Sequence, residues 1–301
     1  MSATPAPQIT AADPLPALLV QECRRHIAAG HRPVLGLNGP VGAGKSTLSA
    51  CLRESFASAG LRLAVASIDD AYLPLPLRRS RMAGNPFGVS RVPPGSHDPT
   101  ALLEPIRCWR QQLSGEGVQA GALLTLPRFD KRLCGGEGDR VEDWQGEADV
   151  VLLEGWLLGC RPVSSSVLLA WSEQQGLEKA QQIWLLRCNE ALRDYQPLWD
   201  VLDALLMLWP RDWRSPRRWR LQAESRQRRA GGGWLTPPEL ERIVQASLGS
   251  LPPELYVRPL LSSAFWIREL DGRRRCLWQG SGDAMVERLT QPSSSCSSAT
   301  G

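Results

Sequence analysis

The chain has 301 residues, 43% of them apolar and 22% charged, and carries a formal net charge of +4. That length accommodates one large α/β domain, and so small a charge does not call for a nucleic-acid partner. No apolar run approaches the roughly 20 residues of a membrane helix, so neither membrane nor nucleic acid is an expected partner.

Met1 to Pro16 has no basic residue and no continuous apolar stretch, so neither a secretory signal nor an organelle transit peptide is expected. Residues 1–13 read as a disordered tail. Leu15, Leu18, Leu19, Cys23 and Ile27 recur at helical spacing and predict a helix from Leu15 to Ala29. Val34 to Leu37 is a short apolar strand, and Gly39-Pro40-Val41-Gly42-Ala43-Gly44-Lys45-Ser46 follows it. This is the phosphate-loop pattern G-x-x-x-x-G-K-[ST] at every constrained position. Its glycines let amide N–H groups turn inward around an anion, and a helix from Lys45 to Ser58 adds the positive end of its dipole. Lys45 supplies a cation for the β and γ phosphates, Ser46 a hydroxyl for Mg²⁺, and Thr47 completes the cradle.

Ala64 to Ile68 is a second strand, ending in Asp69-Asp70-Ala71-Tyr72. Acids placed directly after a parallel strand lie where such sheets bind ligands, and one carboxylate there can take the proton of a substrate hydroxyl. A turn or N-cap role for the pair is the competing reading. Residues 78–95 are too irregular for core. In Ser96-His97-Asp98-Pro99-Thr100, Asp98 suits an N-cap for a helix running to about Leu113, and His97 belongs either to the pocket or to an exposed loop. Leu123 to Leu126 reads as a strand leading into Pro127-Arg128-Phe129-Asp130-Lys131-Arg132 and then Gly135-Gly136-Glu137-Gly138-Asp139-Arg140. This reads as a loop for a small polar anion, with a solvated turn as the alternative.

Asp149 to Leu153 is an apolar strand closed by Glu154, the placement of an acid that reaches Mg²⁺ directly or through water. Ile183 to Leu186 reads as a further strand, and Asn189 to Trp209 as a helix whose stripe of Leu192, Tyr195, Trp199, Leu202, Leu205, Leu206 and Trp209 is core. Arg211, Arg214, Arg217, Arg218, Arg220, Arg226, Arg228 and Arg229 then crowd one segment, either a basic lid over about 210–232 or a solvated helix. Pro237 to Leu248 is helical, Asp271-Gly272 marks a hairpin between Ala264–Leu270 and Arg275–Trp278, and residues 291–301 form a Ser-rich tail expected to be disordered. The eight cysteines include no C-x-x-C pair, which points to buried thiols in a reducing compartment and a cytoplasmic protein.

Taken together, the phosphate loop, Ser67-Ile68-Asp69-Asp70-Ala71-Tyr72 and Leu153-Glu154-Gly155 resemble the phosphoribulokinase, uridine kinase and pantothenate kinase group. Within it the chain is similar to the D-glycerate 3-kinase family. The similarity is carried by Pro94-Gly95-Ser96-His97-Asp98, Pro127-Arg128-Phe129-Asp130-Lys131 with Gly135 to Arg140, the run from Leu153 to Pro162, Trp199-Asp200 with Asp203-Ala204, and Trp219 to Glu224. The resemblance implies a three-layer α/β P-loop kinase whose parallel sheet has the order 2-3-1-4-5. It also implies ATP and Mg²⁺ as cofactors and D-glycerate as the small-molecule substrate, phosphorylated on its 3-hydroxyl in photorespiratory carbon salvage. It places the general base at Asp69, Mg²⁺ at Ser46 and Glu154, and the phosphate contacts of the lid at Arg220 with Arg217 or Arg218. Phe129 stands where the family has Tyr, and Cys160 where it has an aromatic residue.

The resulting reading is a kinase domain over residues 14–290. Gly39 to Thr47 hold the triphosphate, while Tyr72, His97, Asp130 and the cations Arg128, Lys131 and Arg140 join Asp69 around the acid substrate. The alternatives are a kinase for another acceptor, nucleoside or pantothenate, and a non-catalytic ATP-binding module. A GTPase is not expected, because none of the three lysines follows an Asn as the guanine motif Asn-Lys-x-Asp requires.

Overall fold

The computed structural model describes residues 13–114, 117–118, 121–229 and 235–291. The two expected tails, up to residue 12 and beyond 291, and the end of the expected lid at 230–232 lie outside the described residues.

The chain begins with helix α1 (Leu15–Ala28), strand β1 (Val34–Asn38), helix α2 (Lys45–Ser58) and strand β2 (Leu63–Ser67). Helices α3 (Leu75–Arg81) and α4 (Thr100–Arg110) follow, then a two-residue ladder of β3 (Leu113–Ser114) with β4 (Gly117–Val118), a long hairpin of β5 (Ala122–Asp130) with β6 (Asp139–Ala148), and strand β7 (Val150–Gly155). Next come α5 (Ser165–Gln174), α6 (Lys179–Ala191), α7 (Gln196–Trp199), β8 (Ala204–Pro210), α8 (Ser215–Arg229), α9 (Pro237–Ser250), α10 (Pro253–Tyr256), β9 (Trp266–Leu270), β10 (Cys276–Gly280) and α11 (Gly282–Thr290).

One sheet of order β10-β9-β8-β1-β7-β2 organises these elements. Its strands run parallel except for the edge strand β10, which returns antiparallel to β9 through the hairpin expected at Asp271-Gly272. Counted along the chain, the parallel strands stand 2-3-1-4-5. Burial on both faces is what a parallel sheet between helices requires, and alternate side chains enter opposite layers. Leu35 and Leu37 of β1 pack with Leu19 of α1 and Leu52 and Phe56 of α2. Val34, by contrast, packs with Ile106 and Trp109 of α4, Leu185 of α6 and Leu198 of α7. Helices therefore cover both faces, giving three layers.

Three expected elements are different in the structure. Ile183 to Leu186 is no strand: it lies inside α6, where Trp184, Leu185 and Cys188 are buried and Ile183 is exposed, a helical period too short to read from four residues. The helix expected from Asn189 to Trp209 breaks after α7, and its last stretch becomes β8, a central strand of the sheet. A strand buried on both faces is a continuous apolar run, which periodicity cannot separate from a core helix. The strand expected to stop at Leu126 continues to Asp130, because Arg128, Phe129 and Asp130 pair with Val141, Arg140 and Asp139 across the hairpin.

Candidate active site

The strand register brings three chemically active segments together. Glu154, near the end of β7, lies between Leu37 of β1 and Ser67 of β2. The phosphate loop leaves β1 at Gly39, whose amide donates to the Gly155 carbonyl at 3.2 Å. Asp69 follows β2 by two residues, on a short 3-10 turn from Ile68 to Ala71. One cleft is lined by Val41, Gly42, Gly44, Lys45, Ser46 and Thr47 of the loop, by Asp69 and Glu154, and by Lys131 and Arg220.

In the loop, Gly42 (φ 76°) and Gly44 (φ 102°) adopt left-handed backbone that side-chain-bearing residues avoid. Ala43 is buried, and the carbonyls of Gly39 and Pro40 accept from Lys45 Nζ at 2.8 and 3.2 Å. Burial lowers the Lys45 pKa, partly offset by the carboxylates of Glu154 and Asp69 across the cleft.

Ser46 Oγ donates to Glu154 Oε1 at 2.8 Å, and Ser49 Oγ donates to Oε2 at 3.0 Å. Glu154 is 9% exposed, and among the described residues no side-chain cation closes an ion pair on it. A buried carboxylate beside a hydroxyl is a hard-oxygen donor set that fits Mg²⁺. Among the described residues there is no group of three or more His, Cys, Asp or Glu that could hold a metal ion.

The two acids after β2 divide their work. Asp70 Oδ2 accepts from the Ser67 amide at 2.9 Å, closing a capping box, which is the structural role the sequence left open. Asp69 faces the cleft: Lys131 Nζ donates to Oδ2 at 2.6 Å, and His97 Nε2 lies 3.7 Å from Oδ1. Burial would raise the Asp69 pKa, but the Lys131 ammonium and His97 outweigh it and hold the carboxyl well below its ordinary range.

Other expected residues have different positions. Tyr72 and His97 are buried behind Asp69, their rings stacked with centroids 4.3 Å apart. Arg128 is committed to structure: its guanidinium donates to Asp70 Oδ2 and to the Val65 carbonyl, each at 3.2 Å, and lies over the Trp144 ring. Arg140 ties down the Tyr72 carbonyl at 2.9 Å. Asp130 is held by Arg132, whose guanidinium keeps its pKa at about 2. Arg217 points away to Glu241 across a 2.5 Å bond, whereas Arg220 and Arg226 of the expected lid line the cleft. The expected anion loop thus sends one cation, Lys131, into the cleft, because strand pairing fixes the direction of the others.

The cleft also has residues to which sequence reasoning gave no role of their own: Ser67, Trp156, Ala223 and Arg274. Arg274 comes from the turn between β9 and β10, and its Nε donates to the Gly42 carbonyl. A run of three arginines after Asp271-Gly272 is the one signal for it, and nothing in that run points to the phosphate loop.

A parallel sheet whose first strand opens into a lysine-bearing amide loop, with an acid on the neighbouring strand beside the loop serine, is the architecture of the P-loop kinases. No family model matches the chain. Over 224 residues, 71% of this chain, it is 31% identical to the chloroplastic D-glycerate 3-kinase of Arabidopsis thaliana, and the match spans 46% of that protein. Over 201 residues, 64% of this chain, it is 30% identical to the uncharacterized kinase mug58 of Schizosaccharomyces pombe, 69% of which is covered. Among solved structures, D-glycerate 3-kinase from Cryptococcus neoformans is 25% identical with a TM-score of 0.75, over 89% of this chain and 99% of that one. The structure of the YGR205w protein is 22% identical with a TM-score of 0.71, over 91% and 98%, a likeness of fold. The chain belongs to the D-glycerate 3-kinase family of P-loop kinases. No helix among the described residues is long and apolar enough to cross a membrane.

Proposed function

We propose that this protein transfers the γ-phosphoryl group of ATP to the 3-hydroxyl of D-glycerate, giving 3-phosphoglycerate. The observation that carries this reading is the meeting of Lys45, the Ser46–Glu154 pair and the Asp69–Lys131 pair in one cleft at the ends of adjacent strands. The loop amides and Lys45 hold the β and γ phosphates, and Arg220 meets the same charge from α8, which acts as part of the lid. Ser46 and Glu154 hold Mg²⁺, which when bound neutralises charge on the phosphates.

Asp69 accepts the hydrogen bond of the acceptor hydroxyl and takes its proton. A carboxylate held ionised by Lys131 is a weak base, which suits a loose phosphoryl transfer in which orientation matters more than early deprotonation. Lys131, exposed beside Asp69, supplies the cation for the substrate carboxylate. The described cysteines are free thiols, with Cys23, Cys160 and Cys188 buried as expected but Cys108, Cys134 and Cys276 exposed, and free thiols suit a reducing compartment such as the cytoplasm.

The test is a coupled ADP-release assay with and without D-glycerate, followed by identification of the phosphorylated position. Release that depends on D-glycerate and yields the 3-phosphate is expected. Release that answers only to a nucleoside or pantothenate overturns the acceptor, and tight ATP binding with no product from any acceptor overturns the kinase reading.

A further inference from the structure

Behind Asp69 lie three side chains, Tyr72, His97 and Tyr195, of which the sequence pattern presents only Tyr195 as core. His97 lies between Tyr72, stacked on it, and Tyr195, which meets it edge-on with centroids 5.9 Å apart. All three are buried. His97 Nδ1 is 2.9 Å from the Tyr195 hydroxyl. Nε2 turns the other way, toward Asp69 Oδ1, and is buried with no hydrogen-bond partner.

The protons around Tyr195 decide which ring nitrogen carries one. The Gly95 amide donates to the Tyr195 oxygen at 3.0 Å, so that oxygen already accepts once. The tyrosine proton needs an acceptor of its own, and His97 Nδ1 is the one within reach among the described residues. The Ser96 hydroxyl gives its proton to the Pro93 carbonyl at 2.6 Å and stands 3.4 Å from Nδ1. If Nδ1 held the proton, the Tyr195 hydroxyl would be a buried donor without an acceptor, an arrangement folded proteins avoid. Burial favours the uncharged ring as well, against the pull of Asp69.

We propose that Tyr195 is a positioning residue: by donating to Nδ1 it fixes His97 as the Nε2–H tautomer, whose N–H faces Asp69 and orients that carboxylate for the acceptor alcohol. The inference rests on Asp69 being the group that meets the alcohol. In the other tautomer a lone pair on Nε2 would face Oδ1 and the two would repel, leaving Asp69 to Lys131 and Tyr72. The order of parts is the reverse of a hydrolase triad. Here the carboxylate acts on the substrate, the imidazole steadies it, and a phenol sets the imidazole.

Nitrogen NMR tests this without any substrate. The chain has three histidines, so ¹⁵N-histidine labelling gives three ring systems, and the His97→Gln spectrum identifies the one that matters. The wild-type His97 ring is expected to be protonated at Nε2 and bare at Nδ1, and Tyr195→Phe to move the proton toward Nδ1. In the same variant turnover of D-glycerate falls about tenfold, while the KM for ATP changes by less than about twofold. A wild-type proton on Nδ1, or a His97 spectrum that Tyr195→Phe leaves unchanged, overturns the proposal. Should Tyr195→Phe not fold, His97→Gln and His97→Leu decide the matter. The amide of Gln reaches the Nε2 position and can donate there, so it retains about tenfold more turnover than Leu, and equal loss in both overturns the role. A wild-type spectrum as expected with no turnover of D-glycerate would sink the acceptor reading and leave the tautomer assignment standing.

Discussion

Arg274 donates to the Gly42 carbonyl at 2.7 Å from a turn 232 residues further along the chain, and its other arm reaches the Trp219 carbonyl at 2.8 Å. One guanidinium thus ties the phosphate loop to α8. Several features hold it in place: Arg274 is 9% exposed, its backbone is left-handed at φ 65°, and the Trp219 indole donates to the Gly272 carbonyl of the same turn. Burial lowers the Arg274 pKa, and the nearby Arg226 and Arg218 lower it further. Cations gathered at the mouth of an amide cradle raise each other's energy until an anion enters, so a triphosphate is the natural relief.

Replacing Arg274 with Ala therefore weakens the nucleotide side of the reaction. The KM for ATP is expected to rise about tenfold or more, with a smaller change for the acceptor. Arg274→Lys does not restore it, because a single ammonium lacks the planar fork that serves both carbonyls. Initial rates at varied ATP decide this, and an unchanged KM for ATP would reduce the bridge to a structural tie.

Asp69→Asn tests the base. ATP binding stays close to that of the parent while turnover falls by about 10² or more. The pH profile carries a second signature. Lys131 and His97 outweigh burial and hold the Asp69 pKa below its ordinary value, so the carboxylate stays ionised as pH falls through the usual carboxylate range. Asp69 accordingly contributes no acid limb to the rate between pH 8 and about 5. Lys131→Met removes the charge that opposes burial, and the acid limb moves up in pH. A profile identical to the parent's would show that the ion pair does not govern Asp69.

What the sequence revealed and what it hid follow from the range of the interactions. Gly39 to Ser46, Asp69 and Glu154 are legible because each is a short motif tied to the end of one apolar strand, and β1 and α2 lie where the pattern puts them. The β8 strand was hidden because a run buried on both faces has no period to read. The assignments at Arg128, Asp130 and Arg140 depended on which way residues of a hairpin point, and that is set by a register with β6 that no local pattern encodes. Arg274 and Tyr195 act through contacts between distant segments. Their signals were a bare arginine run and one position on an apolar stripe.

The commitment of Arg128 to Asp70 gives a prediction that separates structure from binding. Asp70 is itself raised in pKa, burial outweighing the Ser67 amide and Arg128, so losing its partner leaves a poorly solvated carboxyl at the cap of the Asp69 turn. Arg128→Ala is expected to lower stability by about 1–2 kcal/mol in chemical denaturation, with the KM for the acid changing less than it does in Lys131→Met. The opposite ranking of the two Michaelis constants would return Arg128 to the substrate.

Gly42 and Gly60 share a left-handed backbone, at φ 76° and 77°, and differ in what surrounds them. A Cβ on Gly60 would meet nothing within 4 Å, whereas one on Gly42 would come within 2.8 Å of the Arg220 amide nitrogen and the Trp219 carbonyl carbon. Those are main-chain atoms of α8, which cannot swing aside as a side-chain tip can. Gly60→Ala is thus expected to cost only the left-handed strain, about 1–2 kcal/mol of stability, with nucleotide affinity untouched. Gly42→Ala carries the same strain and also pushes α8 off the phosphate loop, which stretches both arms of the Arg274 bridge. Its affinity for ATP, measured by calorimetry, falls about tenfold beyond any change in Gly60→Ala. Equal affinities in the two variants would mean that the loop and α8 need not touch for the nucleotide to bind.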